Sequence, residues 1–238
     1  MVRSHALRIP LAVVTVSAIA AIVASSATAD ISGPCSASIA GQNVKGRGTG
    51  AFSKPITVEK NSIVPVTMSS AGQISHLKIQ IEFAGMRWTV RDKPSHGNSW
   101  ASSVDVKKYA KYGVGLYKVI GSSGGVNCSG VALVKVKGNP LSTVAGIVGL
   151  VAALAGLGGI GAAVAMTMRA GSLGFGKTLF GAVFGLIAGL GLAVLLQEYA
   201  VMYPTLGAAI ASVGLGGLFG IGLVFMAKLV GGSVAVPD

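Results

Sequence analysis

Charged residues are scarce in this chain, and the scarcity is concentrated in its second half. Only 11% of the 238 residues are charged, whereas soluble domains average about 25%. From Pro140 to the end, the charged residues are Arg169, Lys177, Glu198, Lys228 and Asp238. This deficit excludes an ordinary soluble domain for the second half and predicts a segment that resides in lipid.

Cysteine and histidine are also rare, with two and three copies. A structural zinc site needs closely spaced ligands of these types, and the sequence has no such spacing, so it predicts no metal site. Cys35 and Cys128 lie near the two ends of the more polar half. An even number of cysteines in an exported domain indicates a disulfide, with two buried free thiols as the alternative.

Sequence signatures of catalysis are missing as well. The chain has no Gly-x-Ser-x-Gly nucleophile elbow and no glycine-rich run that continues into Lys-Ser or Lys-Thr as a phosphate loop does. His96 can be drawn with Asp92 and Asp105 as a hydrolase triad, but triads are recognised by geometry. The sequence therefore predicts a protein that is not an enzyme and has no cofactor, with a surface hydrolase as an alternative.

Residues 1–29 have the three parts of a secretory leader. Arg3 and Arg8 form a basic start, residues 9–24 an apolar core, and residues 27–29 read Ala-Thr-Ala. An Ala-x-Ala end predicts removal of a signal peptide by cleavage before residue 30. The apolar core is slightly long, so an uncleaved signal anchor is the alternative, and both arrangements place residue 30 outside the cytoplasm.

Residues 30–138 show the alternation of apolar and polar side chains that is typical of half-buried strands. The clearest case is residues 77–83, Leu-Lys-Ile-Gln-Ile-Glu-Phe. Residues 94–99, Pro-Ser-His-Gly-Asn-Ser, have the composition of a turn or loop. About seven such strands predict an all-β, two-sheet, immunoglobulin-like sandwich, with the disulfide joining the first strand to the last.

Residues 139–238 form the predicted transmembrane domain. The stretches 144–167, 178–196 and 206–227 contain no charged residue. Each has roughly the 20 apolar residues that a helix needs to cross a bilayer. The sequence therefore predicts an α-helical membrane bundle of three transmembrane helices, in a multi-pass protein of the cell membrane.

Basic residues indicate how these helices are oriented. Arg169 and Lys177 flank the loop between the first and second helices, Lys228 follows the third, and the remaining loop has Glu198 and no basic residue. Cytoplasmic helix ends are enriched in Lys and Arg. We therefore expect a cytoplasmic C-terminus and an extracytoplasmic domain at residues 30–138, although two lysines just before the first helix oppose this.

Small residues recur every four positions in the predicted helices. Residues four apart share one helix face, so each row forms a groove that lets another backbone approach closely. The rows are Ala155, Gly159 and Ala163 in the first helix, Gly181, Gly185, Gly189 and Ala193 in the second, and Ala208, Ser212, Gly216 and Gly220 in the third. They predict helix packing within the chain, or alternatively self-association or docking to a partner membrane protein.

Two groups of basic residues occur in the predicted β domain. The first, interleaved with tyrosines, is Lys107, Lys108, Lys111 and Lys118, and the second is Arg87, Arg91 and Lys93. An ordinary solvated surface explains both groups. As anion-binding sites they would suit an anionic envelope polymer or lipid head groups. Because an exported domain rarely meets nucleic acid, we expect no nucleic-acid partner.

Together these features predict a non-catalytic protein of the cell envelope, a binding or scaffolding subunit. One helix suffices to tether a domain, so three helices with grooves indicate a role in assembly, as a homo-oligomer or with another membrane protein. A component of an oligomeric channel or transporter is the alternative. The predicted helices offer few of the polar groups that ions need at bilayer depth.

Overall fold

The computed structural model describes residues 33–44, 54–83, 85–170, 172–202 and 204–231. The predicted signal peptide, residues 1–29, lies outside the described residues. The described part divides into a mostly-strand domain and a bundle of three long helices. We describe the strands first, because their arrangement determines which residues meet the helices.

Seven strands and one short helix precede the bundle. The strands are β1 Cys35–Ile39, β2 Gln42–Asn43, β3 Ile56–Glu59, β4 Ile63–Phe83, β5 Met86–Asp105, β6 Gly115–Gly124 and β7 Cys128–Lys137. Helix α1, Lys107–Ala110, lies between β5 and β6. β4 and β5, with 21 and 20 residues, are far longer than the usual strand of about six residues.

The strands form one nearly closed sheet in the order β2-β1-β4-β6-β7-β3, with β5 paired to β4. Along one edge of β4, residues 66–70 pair with β1 and residues 76–82 pair with β6. Along the other edge, β5 follows both halves of β4, with register shifts between Ser69 and His76. Because one hydrogen-bonded sheet continues through this irregularity, the expected two-sheet, immunoglobulin-like sandwich is not confirmed.

The interior of the sheet is apolar, and a disulfide links two of its strands. Ile39, Val64, Val106 and Val134, from four different parts of the chain, belong to the main cluster of buried side chains. Cys35 and Cys128 form the predicted disulfide, with Cα atoms 6.1 Å apart. It joins β1 to β7, strands that are not neighbours in the sheet. Closing a loop of 93 residues stabilises the fold by roughly 4–5 kcal/mol on the chain-entropy model.

Three long apolar helices follow the sheet. They are α2 Val144–Ala170, α3 Phe175–Glu198 and α4 Leu206–Gly231, and each is long and apolar enough to cross a membrane. Each continues a few residues beyond the predicted stretch. The turn Pro140–Ser142 connects β7 to α2, and the side chain of Asn139 accepts a hydrogen bond from the backbone N–H of Leu141. Proline at the start of this turn ends the strand because it cannot donate to a sheet.

In the bundle, α3 lies between α2 and α4 and packs against both. Glycine and alanine occupy most buried positions of α3, whereas large apolar side chains face outward. Leu157, Phe175 and Leu218 are examples of these exposed side chains. An outward surface of this kind is the reverse of a water-soluble helical bundle, in which the apolar faces are buried.

Candidate functional site

The sheet and the bundle meet at one end of each, which we call the junction. Backbone N–H groups of Val144 and Ala145, in the first turn of α2, donate to the carbonyls of Lys111 and Tyr112. The β4–β5 turn contacts the start of α4. The start of β6 contacts the end of α3. Because all three helices are engaged, the sheet is held in one orientation on the bundle.

Glu198, the last residue of α3, is the central side chain of the junction. It is only 3% exposed. Its Oε2 accepts a hydrogen bond from the backbone N–H of Val114 at 2.9 Å, and its Oε1 accepts one from the Thr143 hydroxyl at 3.2 Å. Val114 directly precedes β6 and Thr143 directly precedes α2, so one carboxyl group ties the end of α3 to the start of both elements.

Gln197 makes a second link from the same helix end. Its side chain is buried, and its Nε2 donates to the carbonyl oxygen of Leu116 in β6 at 3.1 Å. Buried polar groups cost free energy unless they are hydrogen-bonded. This bond and those of Glu198 therefore stabilise the contact only while α3 and β6 keep their present spacing.

Two glycines of β6 and the preceding segment allow this close approach. Gly115 has a positive φ of 90°, and a Cβ there would overlap the carbonyl oxygen of Gln197. A Cβ on Gly113 would lie 2.7 Å from Oε1 of Glu198. The backbone of β6 can therefore meet the end of α3 only because these positions lack side chains.

Tyr117 lies beside Glu198 on the sheet side of the junction. Its ring stacks on Phe83 with 4.8 Å between centroids, and its hydroxyl donates to the carbonyl of Gly113 at 2.7 Å. Burial and, secondarily, the negative charge of Glu198 raise the pKa of the Tyr117 phenol above its usual value. The phenol therefore stays protonated and keeps donating its hydrogen bond.

Sequence reasoning missed the junction. It placed Glu198 in the loop between the second and third helices, because the predicted second helix ended at residue 196. The one available signal was that Glu198 is one of few charged residues after Pro140. Burial of that carboxyl depends on a contact with Val114, 84 positions earlier in the chain, which no local pattern reveals.

The structure does not keep either of the two predicted basic groups whole. Arg87 and Lys118 both approach Glu82, at 3.1 and 3.9 Å, so one member of each predicted group is engaged in the same ion-pair set. Arg91 donates to the backbone carbonyl of Ser103 at 3.4 Å. Lys93 is exposed on β5.

Lys107, Lys108 and Lys111 stay together as an exposed group on and just after α1. The Nζ of Lys111 lies 4.8 Å from the centre of the Tyr112 ring. This group is at the junction end of the sheet, since the carbonyl of Lys111 accepts from the first residue of α2.

The small residues of α3 and α4 contact one another within the chain. A Cβ on Gly185 would overlap the carbonyl oxygen of Gly216, and one on Gly189 would lie 2.5 Å from that of Ser212. Gly181 and Gly220 meet in the same way, and Ala193 and Ala208 share a buried cluster with Met202. These two rows therefore bring the backbones of α3 and α4 into direct contact.

The predicted row on α2 is only partly placed at an interface. Ala163 is buried, and Gly159 lies against the ring of Phe184, but Ala155 is exposed and does not contribute to packing within the chain. Gly156 takes its place, because a Cβ there would overlap the backbone of Ala188. A spacing of four residues advances about 40° around the helix at each step, so a strict row leaves the contact face.

The residues drawn as a hydrolase triad do not gather in the structure. The carboxylate of Asp92 contacts the imidazole Nε2 of His76 on the neighbouring strand, whereas His96 is exposed on β5. Across the described ranges, no three His, Cys, Asp or Glu side chains are grouped so as to hold a metal ion.

Two apolar cavities of about 70 and 50 Å³ lie inside the sheet. Ile39, Val66, Ile79 and Val119 line both and separate them. The larger cavity is lined by valine, isoleucine and alanine side chains together with Tyr109 and Tyr117. Such a lining suits an apolar guest or an empty space.

No family model and no curated protein matches the chain. Among solved structures, a lytic polysaccharide monooxygenase (LPMO) from Kitasatospora papulosa has a TM-score of 0.29 and 8% identity, over 37% of this chain and 53% of that one. An LPMO from Jonesia denitrificans, solved by neutron crystallography, has a TM-score of 0.27 and 9% identity, over 36% and 60%. The chain thus spans little more than half the length of these two proteins.

A Niemann-Pick type C2 protein from the Japanese carpenter ant has a TM-score of 0.29 and 7% identity, over 48% of this chain and 96% of that one. All three TM-scores are below 0.5. These likenesses therefore establish no function for this chain.

The junction yields a first prediction. Replacing Glu198 with alanine is expected to lower the free energy of unfolding in detergent by about 2 kcal/mol, because the buried N–H of Val114 loses its acceptor. Glu198→Gln, which keeps an acceptor oxygen, is expected to cost less. Thermal unfolding of the purified protein measures both changes.

The matched control is Glu59→Ala. The Glu59 side chain is 67% exposed and pairs with Lys137, so its loss is expected to change stability only slightly. Equal effects of Glu198→Ala and Glu198→Gln would contradict the assignment of Glu198 as a required hydrogen-bond acceptor.

Proposed function

We propose that this protein is a non-catalytic subunit of the cell envelope, whose three helices cross the membrane and hold a β domain in a fixed orientation for binding or scaffolding. The observation that carries the proposal is the junction. A flexible linker is enough for a domain that only needs tethering. This domain is instead joined to the end of α3 by buried hydrogen bonds, one accepted by Glu198 and one donated by Gln197. A fixed orientation is useful when a partner is recognised at a set height above the bilayer.

The outward surface of the bundle supports membrane crossing. All three helices meet the length and composition of membrane spans, and their exposed side chains are largely aliphatic or aromatic. In water such a surface would be a strong liability for aggregation. In lipid it is the expected outer face of a bundle.

The basic residues support an extracytoplasmic β domain. α2 and α4 begin at the junction and α3 ends there, so Arg169, Lys177 and Lys228 all lie toward the opposite end of the bundle. Enrichment of basic residues at cytoplasmic helix ends then places the C-terminus in the cytoplasm and the sheet outside. A disulfide suits that compartment.

For the β domain we propose an immunoglobulin-like sandwich in which the two halves of β4 belong to facing layers. β1 and β6 extend from successive halves of the same β4 edge. Side chains from β1, such as Ile39, and from β7, such as Val134, share one buried cluster. The disulfide between these strands joins the proposed layers directly.

Assembly with a second copy or with a partner membrane protein would use surfaces that the chain leaves open. The glycine rows of α3 and α4 are consumed within the bundle. On α2, Ala155, Gly158 and Ala162 share an outward face, and a Cβ on Gly158 would meet no atom within 4 Å. A neighbouring helix could approach this face closely.

The test is the mass of the protein purified in mild detergent, combined with cross-linking in intact cells. We expect a complex larger than the 23.7 kDa chain, either a homo-oligomer or a stable assembly with another membrane protein. Ala155→Leu with Ala162→Leu is expected to disrupt it, whereas Gly222→Leu, at another open helix position, is the control. A strict monomer with no cross-linked or co-purifying protein would contradict the proposal.

A further inference from the structure

We infer that Lys107, Lys108 and Lys111 form a binding site for anionic phospholipid head groups, at the level where α2 enters the bilayer. The inference rests on the proposed crossing of the membrane by α2 and names one ligand of the membrane-facing end of the β domain. We call these three side chains the lysine rim.

Hydrogen bonds determine the height of the lysine rim. The N–H of Val144 donates to the carbonyl of Lys111 at 3.2 Å, and that of Ala145 donates to Tyr112 at 2.7 Å. Residue 111 is therefore level with the first turn of the proposed span. Lys107 precedes it by four residues, about 6 Å along a helix, and each head-group layer of a bilayer is about 5–7 Å thick.

The three ammonium groups are available for an external anion. All three lysines are exposed, and none belongs to the ion pairs found in the described part of the sheet, in which Lys118 and Lys137 contact Glu82 and Glu59. Asp105 is the neighbouring acid, and its Oδ1 accepts the backbone N–H of Lys107. The rim therefore keeps an excess of positive charge.

The surroundings of the rim have the composition of a membrane interface. Tyr112, beneath the ammonium group of Lys111, is 58% exposed, and Tyr199 is exposed just beyond α3. Leu141 and Val144 are also exposed at this level. Tyrosine is enriched where head groups meet hydrocarbon, and lysines there extend their ammonium groups toward phosphates.

The anion would be held by lysine side chains and not by the helix end. The first free N–H groups of α2 already donate to Lys111, Tyr112 and Thr143. Each lysine near an anionic membrane surface strengthens the attraction about fivefold. Three lysines at one edge of the domain should therefore enrich anionic lipid beside the start of α2, most strongly at low salt.

A tryptophan at position 112 can report this enrichment. In the full-length protein, Trp88→Phe and Trp100→Phe remove the two native tryptophans, and Tyr112→Trp adds one beside the rim. The protein is reconstituted in phosphatidylcholine vesicles that contain an equal minor fraction of either brominated phosphatidylglycerol or brominated phosphatidylcholine. We expect at least about twofold stronger quenching by the anionic lipid, declining as salt is added.

Matched charge variants identify the residues responsible. Lys107→Gln, Lys108→Gln and Lys111→Gln together are expected to abolish the preference. The control triple, Lys54→Gln, Lys78→Gln and Lys93→Gln, removes the same charge and is expected to retain the preference. Lys78 and Lys93 lie at least five residues from the ends of β4 and β5 that meet at the β4–β5 turn, about 17 Å along a strand, and Lys54 precedes β3, whose other end pairs with Lys137.

Each other outcome has a distinct meaning. Equal quenching by the two lipids would overturn the inference and leave membrane crossing standing, and retention of the protein on a soluble polyanion would then assign the rim to an envelope polymer. Loss of the preference in both triple variants would also overturn it, because net charge alone would explain the attraction. No quenching by either lipid would contradict the proposed membrane crossing itself.

Discussion

Replacing Gly115 with alanine is expected to destabilise the protein by about 4 kcal/mol or more and to release the sheet from the bundle. Gly115 has a φ of 90°, where alanine is strained by roughly 1–2 kcal/mol. Its Cβ would also overlap the backbone carbonyl of Gln197 and approach that of Glu198. These are backbone atoms at a helix end, so a side-chain rotation cannot relieve the overlap.

Relief of the overlap requires α3 and β6 to separate. That separation would break the hydrogen bonds from Val114 to Glu198 and from Gln197 to Leu116, and each buried group left unpaired costs about 1–3 kcal/mol. The expected readouts are a lower unfolding temperature in detergent and new protease cleavage between the sheet and the helices.

Gly41→Ala is the matched control for backbone strain. Gly41 has a φ of 72°, and a Cβ there would meet no atom within 4 Å. It is expected to cost only the strain of about 1–2 kcal/mol, with no new cleavage at the junction. If both substitutions cost the same, the contact between β6 and α3 does not restrict Gly115.

The sequence predicted the strands and helices of this protein better than their arrangement. Alternation over residues 77–83 lies within β4, and the charge-free stretches lie within α2, α3 and α4. These patterns are local, because each follows from the residues of one element: the alternation from a strand with one apolar face, and the charge-free stretches from helices that are apolar along their whole length. The disulfide followed from the count of cysteines, independently of the sheet topology.

Residues 94–99 show why topology could not be predicted. Their proline, glycine, asparagine and serine predicted a turn, but they lie inside β5, where Pro94 pairs with His76 and Gly97 with Ile74 across a register shift. Proline is tolerated on an edge strand, and glycine is typical of a bulge. These residues therefore form an irregular part of one long strand, where the pairing of β4 with β5 is interrupted by register shifts and then resumes.

The junction was beyond sequence reasoning for a different reason. Gly113 and Gly115 resemble ordinary strand or turn glycines until the end of α3 is placed against them. The lysines, in contrast, were recognised as a group, but the sequence could not separate Lys118, which contacts Glu82, from the three lysines on and just after α1, which lie beside the start of α2. The role of these glycines and the separation of the lysines both depend on contacts between residues that are far apart in the sequence.

Replacing Gly185 with alanine is the second substitution with a large expected effect. A Cβ on Gly185 would overlap the carbonyl oxygen of Gly216, so α3 and α4 must move apart along the whole contact. Overpacking of this kind costs typically 1–3 kcal/mol and occasionally more, and we expect about 3 kcal/mol. In lipid the association of helices depends on close backbone packing. No hydrophobic force between α3 and α4 therefore compensates for the packing that the added Cβ removes.

The full-length protein, purified in a mild detergent, is titrated with a denaturing detergent. Its unfolding is monitored by the loss of protease resistance of the helices. Gly222→Ala is the control, because a Cβ there would meet no atom within 4 Å, it lies outside the α2 face proposed for assembly, and alanine favours helix more than glycine does. It is expected to leave stability unchanged or slightly higher.

Gly216→Ala provides an independent check, since Gly185 and Gly216 face each other across the same gap and each Cβ would overlap the other's carbonyl oxygen. Each single substitution is expected to cost a similar amount. Together they should cost less than their sum, because helices already separated by the first Cβ leave room for the second, and neighbouring sites are commonly non-additive. Full additivity would mean that Gly185 and Gly216 do not share one gap, and a Gly185→Ala protein as stable as Gly222→Ala would mean that the contact between α3 and α4 does not depend on Gly185.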